Sequence, residues 1–275
     1  MKYVFVTGAT GGLGGAVTQA LSRRGYTVFA AGTNREKLNQ LGSLPNVIPV
    51  RMDLADMPSM KKARETVRTY TDKLCAVINI AGLTVFCSMV EGDCIPATEK
   101  ALDINVMGMV RVNRVFFELV RAGGGRIINF SSEAGWGKSQ PFAAPYFLSK
   151  RAVEAYNDSL RRELMFLGVP VIKIQPGPFK TSLMDDILNG FEKTKAETVC
   201  YGDILACMKP LMETEVNHGS DPSKLADVVV IALEARRPRL KYRVGTGKLT
   251  AMLWLLPDRA VDALYRFFLK RRQAR

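Results

Sequence analysis

The opening stretch, YVFVTGATGGLG, constrains the fold more than any other part of the chain. A run of apolar residues ends at Thr7 and Gly8, and Gly8, Gly12 and Gly14 then lead into a pattern with Ala16, Val17, Ala20 and Leu21 on one side. Such a pattern is the buried stripe of a helix. An apolar strand, a glycine turn and an amphipathic helix in direct succession make the first half of a parallel β-α-β unit.

The rest of the chain repeats this alternation. Residues 3–8, 27–32, 46–53, 75–82, 125–132 and 169–177 read as strands, with a seventh at 241–245. Most are apolar throughout, as strands covered on both faces should be. Helical patterns fall at about 12–24, 34–41, 56–72, 98–121 and 146–167. The expected fold is a single doubly wound, Rossmann-type α/β domain over 1–247, with roughly seven parallel strands and helices on both faces. Residues 183–220 break the rhythm with mixed polar and apolar residues and are expected to form a lid. Residues 248–275 form a basic amphipathic helical extension, split at Pro257.

Charge and cysteine content bound the function. The net charge is +13, but twelve Lys and Arg stand against two Asp between Arg236 and Arg275, so that segment holds ten of the thirteen. The nearly neutral body gives no argument for nucleic-acid binding. The five cysteines (75, 87, 94, 200, 207) are odd in number and form no CxxC pair, which fits reduced thiols in a cytoplasmic protein. The first residues enter a strand directly, without the pattern of a secretory signal. The longest apolar stretch near a terminus, LTAMLWLLP, is far short of the ~20 residues that span a bilayer. A single histidine, His218, excludes most His-rich metal sites.

Glycines between a first strand and a first helix let the backbone approach a pyrophosphate, which sits on the helix N-terminus among free N–H groups. The spacing here is TGxxxGxG rather than GxGxxG. At the end of the second strand an NAD site carries an acid for the ribose hydroxyls. Here Gly32 and Thr33 occupy that place and Arg35 follows, which favours a 2′-phosphate and hence NADP(H) over NAD(H). Arg35 is otherwise a solvated residue of a helix's first turn.

Tyr146 and Lys150 share a helix face four residues apart, just after Pro145, which suits a first helical position. A free phenol, with a pKa of about 10, ionises poorly at neutral pH. An ammonium one turn away favours the phenolate and moves the phenol toward the working range, as a general acid/base requires.

Together with Asp53, the Asn79-Ile80-Ala81-Gly82 run, Asn105, Ser131-Ser132 and QPGPFKTSL, these features resemble the short-chain dehydrogenase/reductase family over nearly the whole chain to about residue 245. The PGPFKT stretch and the basic, apolar extension resemble its steroid- and retinol-dehydrogenase-like members. The resemblance implies a catalytic set of Asn105, Ser132, Tyr146 and Lys150. Ser132 orients the substrate oxygen, Lys150 also holds the nicotinamide ribose, and Asn105 belongs to a water-linked proton path ending at Lys150. Asn105 is an odd choice inside a helix, and local bonding at a helix irregularity is its other reading. The resemblance further implies cofactor contacts from Gly8, Gly12, Leu13, Gly14, Thr33, Arg35, Asp53, Leu54, Asn79, Ala81, Gly82, Tyr146, Lys150, Pro176, Gly177 and Thr181. Asp53 meets the adenine amino group and Thr181 the carboxamide, Thr181 also being a candidate helix cap. Ile80 stands where the family usually has a second Asn. A homodimer or homotetramer is implied as well.

The reaction so implied interconverts a secondary alcohol and a ketone. Trp136, Phe142, Phe179, Met184 and Leu188, with Glu133 and Gln140 as polar exceptions, are the candidate substrate lining, which points to an apolar, hydroxysteroid-like or other lipophilic compound. In the extension, Val261, Leu264, Tyr265, Phe268 and Leu269 share a side, with Arg266, Lys270, Arg271 and Arg272 elsewhere. That pattern fits docking on the chain's own body, a neighbouring subunit, or an anionic membrane surface that would make the protein membrane-peripheral. A non-catalytic cofactor sensor of the same fold is the alternative function, against which Tyr146 and Lys150 both stand.

Overall fold

Burial along the strands follows their place in the sheet. In the computed structural model, which describes residues 2–217 and 219–273, the inner strands are buried almost end to end while the two edge strands alternate. The strands are β1 (Lys2–Thr7), β2 (Tyr26–Gly32), β3 (Val47–Arg51), β4 (Ala76–Asn79), β5 (Arg126–Phe130), β6 (Val171–Pro176) and β7 (Lys241–Val244). They form one seven-stranded sheet in the order β3-β2-β1-β4-β5-β6-β7, and every neighbouring pair is parallel. The chain builds outward from β1 to β3, then returns to place β4 on the other side of β1. This reversal leaves a crevice beyond the carboxyl ends of β1 and β4, where such sheets bind ligands.

The helices are α1 (Gly12–Arg23), α2 (Arg35–Gly42), α3 (Met57–Arg68), α4 (Cys94–Leu102), α5 (Gly108–Ala122), α6 (Ala144–Leu164), α7 (Ser182–Glu197), α8 (Gly202–Asn217), α9 (Pro222–Glu234), α10 (Lys248–Leu253) and α11 (Asp258–Gln273). One apolar core packs Val17 and Leu21 of α1 and Leu225, Val229 and Leu233 of α9 on the sheet. The opposite core packs Met60 and Val67 of α3 with Val112 and Phe116 of α5. The sheet is therefore covered on both faces by apolar stripes, as its continuous strands demand.

Three features differ from the sequence expectation. The span read as one helix over 98–121 is α4, a π-helical turn at Asp103–Met107, and α5. The irregular segment 183–220 is mostly helical, as α7 and α8, with Pro210 inside α8. Helix α9 has a clear start, Asp221 accepting from Ser223 N ahead of Pro222, but its VVVI run has the composition of a strand. The extension does split at Pro257, into α10 and α11. Val261, Leu264, Tyr265, Phe268 and Leu269 line a cleft with Met208, Leu211 and Met212 of α8, so this face of α11 lies against the chain's own body. Lys138 and Asp258 form an ion pair across the same junction. The side chains of Lys270, Arg271 and Arg272 lie outside the described residues, as does His218. Among the described residues no helix is long and apolar enough to cross a membrane.

Candidate active site

The glycine turn shapes the first half of the crevice. Gly8 has φ +67°, a conformation L side chains rarely adopt. A Cβ at Gly8 would come within 2.7 Å of the Ala81 backbone, and one at Gly12 within 2.7 Å of Thr181 Cγ2. A Cβ at Gly14 would overlap the Gly8 carbonyl oxygen. The turn is thus a bare-backbone cradle at the N-terminus of α1, and it fits a pyrophosphate. Gly8, Gly12, Leu13, Gly14, Thr33, Asp53, Leu54, Ala81, Gly82 and Thr181 all line one groove along this crevice. Thr7, Thr10, Gly11, Met52, Leu83, Lys100, Ile104, Ser182, Leu183 and Asp186 line it too, and the sequence reading did not single them out.

Other candidates fall elsewhere. Arg35 is exposed at the start of α2 and does not line the groove; Asn34 before it caps the helix, accepting from Lys37 N at 3.0 Å. Pro176 is buried at the end of β6. Asn79 turns into the protein, donating to Asn113 Oδ1 at 2.7 Å and Asn129 Oδ1 at 2.9 Å. Asn113 in turn donates to the Tyr156 hydroxyl and Asn129 to Asn157. This buried amide network ties β4 and β5 to α5 and α6, a rigid backing for the helix that carries Tyr146. Thr181 sits at the N-cap position of α7, its side chain makes no cap bond, and the residue lines the groove.

The second half of the crevice collects the proposed chemistry. Tyr146 and Lys150 lie in the first turns of α6, where Pro145 falls at a helix start without an N–H to satisfy. Ser132 follows β5; its Oγ accepts from Ala134 N at 3.2 Å, and its hydroxyl is near enough to the Tyr146 phenol to pull the phenol's pKa down. Lys150 Nζ stands 5.7 Å from the Tyr146 ring centroid and donates to Phe130 O at 3.2 Å. Asn105, in the π-helical turn, is 1% exposed. Its Nδ2 donates to Leu83 O (2.8 Å) and Ser149 Oγ (2.9 Å), and its Oδ1 accepts from Leu83 N (2.8 Å). Ser149 donates onward to the Tyr146 carbonyl at 2.8 Å. The extra residue of the π turn aims Asn105 out of the helix ladder, so an amide poor in helices becomes a brace between the β4 end and α6. Gly82 completes the cluster: a Cβ there would stand 3.2 Å from Asn105 Oδ1 and 3.5 Å from Lys150 Nζ.

The electrostatics differ from the sequence expectation. Burial pushes the Tyr146 phenol up to about 12, against the Ser132 hydroxyl that lowers it, with the Glu133 carboxylate raising it further. Burial likewise lowers Lys150 to about 8, opposed by Glu154. Desolvation of both groups outweighs the attraction expected between them. At neutral pH the phenol carries its proton and the lysine is mostly an ammonium, which is the charge state of an acid ready to donate.

Beside Ser132 and Tyr146 lies a pocket walled by Thr84, Val85, Phe86, Phe147, Leu183, Met184, Ile187, Met208, Met212 and Trp254, with Glu133 and Gln140 among its polar members. Of the substrate candidates, Met184, Glu133 and Gln140 line it. Trp136, Phe142, Phe179 and Leu188 do not. Phe179 is core, 2% exposed. Phe142, at φ +62°, packs against Phe86 and Tyr201 under α7 and α8. Trp136 meets Trp254 edge-on at 4.7 Å. The methionines of α8 and Trp254, which follows α10, were beyond the sequence reading, because only folding brings those helices over the crevice.

Residues 2–190 match the model of the short chain dehydrogenase family. The chain belongs to the short-chain dehydrogenase/reductase family and is an oxidoreductase of the kind that acts on CH–OH groups. Among its relatives is the NADPH-dependent 3-dehydrocapnine reductase of Ornithobacterium rhinotracheale, 30% identical over 96% of both chains. Retinol dehydrogenase 16 of Mus musculus is 32% identical over 96% of this chain and 87% of its own. A short chain dehydrogenase of Burkholderia cenocepacia J2315, solved in complex with NADP, shares the fold with a TM-score of 0.71 at 23% identity, over 96% of this chain and 99% of that one.

Proposed function

We propose that the protein interconverts a secondary alcohol and a ketone on an apolar substrate, with NADP(H) favoured over NAD(H). The observation that carries this is the pairing of Ser132 and a half-buried, neutral Tyr146 in the lining of one mostly apolar pocket, with Lys150 beneath the Tyr146 ring and the glycine-cradled groove alongside. When bound, the nicotinamide supplies or accepts the hydride. Tyr146 gives its proton to the developing alkoxide, Ser132 orients that oxygen, and the Lys150 ammonium stabilises the phenolate left behind. Asn105 fixes the strand end and helix that carry these groups. The groove residues named above, with Lys150, would hold the dinucleotide. The glycine and threonine at the end of β2, with no carboxylate there, support the phosphorylated form.

Helices α7 and α8 cover the pocket and serve as its lid. Glu91 supports this role: its carboxylate accepts from Thr198 Oγ1, Val199 N and Cys200 N and so joins the loop after β4 to the α7–α8 link. A cytoplasmic homodimer or homotetramer is the assembly and setting in keeping with the family. Hydroxysteroids and other lipophilic alcohols and ketones, incubated with NADPH and NADH in parallel and followed by nicotinamide absorbance, test the reading. Turnover of an apolar ketone at least tenfold faster with NADPH is expected. No turnover of any apolar alcohol or ketone with either nucleotide would overturn it.

A further inference from the structure

The reaction pocket is too small for a large lipophile. Its volume is about 140 Å³. An apolar cavity of about 150 Å³ takes up a molecule the size of benzene. Anything longer must extend past the walls. Five of the wall residues, Gln140, Pro141, Met208, Met212 and Trp254, also line a second cavity of about 540 Å³ between α8, α10 and α11. The two spaces are neighbours across a shared partition.

That partition has one firm and one adaptable side. The Trp254 indole lies on Gly137, where a Cβ would come within 2.6 Å of the ring, and its edge meets Trp136. The Arg243 guanidinium in turn covers Trp136, its carbon 3.6 Å from the ring centroid. Facing this stack are Met208 and Met212, one turn apart on α8. Their unbranched thioethers can part and close again around a chain of variable shape. Beyond them the second cavity presents Leu211, Leu253, Val261, Leu264 and Phe268. Among the described residues the one ammonium on its rim is Lys138, and it is ion-paired with Asp258. The chemistry of the space suits an uncharged hydrocarbon chain.

We propose that the cleft beneath α11 is the outer half of the substrate site and receives the flexible alkyl portion of a substrate whose reacting carbon lies at Ser132 and Tyr146. The proposal rests on the catalytic reading above for the position of that carbon. It makes the C-terminal helices α10 and α11 a specificity element, with the passage between Trp254 and the two methionines as the gate.

The test uses the full-length protein and methyl ketones of increasing length with NADPH. Beyond the reach of the inner pocket, kcat/KM is expected to rise about three- to fourfold per added methylene until the outer chamber is full, the effect of burying one CH₂ group. The chamber-filling pair Val261→Phe and Leu264→Phe should cost long ketones about tenfold or more and leave the shortest ones unchanged. Equal losses for short and long ketones, or none for the long ones, would overturn the proposal. A change in oligomeric state with an unaltered ketone profile would also count against it and assign the cleft to a second copy of the chain. Binding is read separately, because, of the chain's two tryptophans, Trp254 stands at the passage and Trp136 meets its ring at 4.7 Å. A long ketone brominated in mid-chain should quench their emission in the wild type and not in the filled variant. Quenching without turnover would sink the catalytic reading and keep the chamber. Turnover without quenching or chain-length dependence would sink the chamber and keep the reaction.

Discussion

Tyr146→Phe is expected to lower ketone reduction about 10³-fold while NADPH binds as in the wild type. General acid catalysis contributes about 10²–10⁴ in rate, and this substitution removes only the acid. The Phe ring keeps the volume, the helix and the packing over Lys150. What disappears is one hydroxyl, beside Ser132 in a site where desolvation holds it protonated. Ser132 retains a polar route into the pocket, so the fold should be little affected. Nucleotide binding is followed by fluorescence titration, and turnover by nicotinamide absorbance on the best ketone from the screen. A variant within tenfold of the wild-type rate would mean that another group delivers the proton.

Gly14→Ala is expected to destabilise the protein by about 2–3 kcal/mol and weaken NADPH binding at least tenfold. The methyl group would overlap the Gly8 carbonyl and crowd the Gly8 and Ala9 backbone. Backbone cannot rotate aside as a side chain can, so α1 must lift from the β1 turn, and overpacking of this kind costs about 1–3 kcal/mol. The same shift spoils the N–H cradle at the helix start. Gly15→Ala is the control, since its Cβ would be 3.5 Å from Ala9 O, an ordinary contact. In the helix interior that change should be neutral or stabilising by up to about 1 kcal/mol. Thermal unfolding and nucleotide titration of the pair check this. Equal behaviour of the two variants would remove the steric argument.

Much of the sheet was legible because burial on both faces leaves strands no polar option. The strand reading over 75–82 overshoots β4, Ala76–Asn79, since Ile80 to Gly82 continue the apolar composition into the turn beside the groove. Helix α9 escaped notice for a related reason: buried on α1 and the sheet, its VVVI run mimics a strand, and only the Asp221–Pro222 start gives it away. The meeting of Ser132, Tyr146, Lys150 and Asn105 around one crevice was legible because the chemistry proposed for them restricts residue types. The pocket wall was not. Met208, Met212 and Trp254 carry no motif, and their place depends on how α8 and α10 fold back over the crevice. Asn79 shows the converse, a motif residue whose amide the packing turns inward to Asn113 and Asn129. The balance of charge in the site was also out of reach, because desolvation is a property of the folded surroundings rather than of spacing.

The central claim is that the Lys150 charge lets the buried phenol part with its proton, and the pH profile of reductive kcat/KM tests it most directly. Tyr146, near 12, stays protonated throughout the accessible range. Lys150, lowered to about 8, is an ammonium below that pH and neutral above it. The phenolate formed in reduction therefore loses its stabilising charge as pH rises, and the rate should fall through a limb near pH 8. In Lys150→Arg, whose guanidinium does not titrate there, that limb should vanish from whatever activity remains. A limb unchanged in Lys150→Arg, or a wild-type rate flat from pH 6 to 10, on the scale of about two units either side of that value, would contradict the assignment of Lys150 as the group that carries the charge.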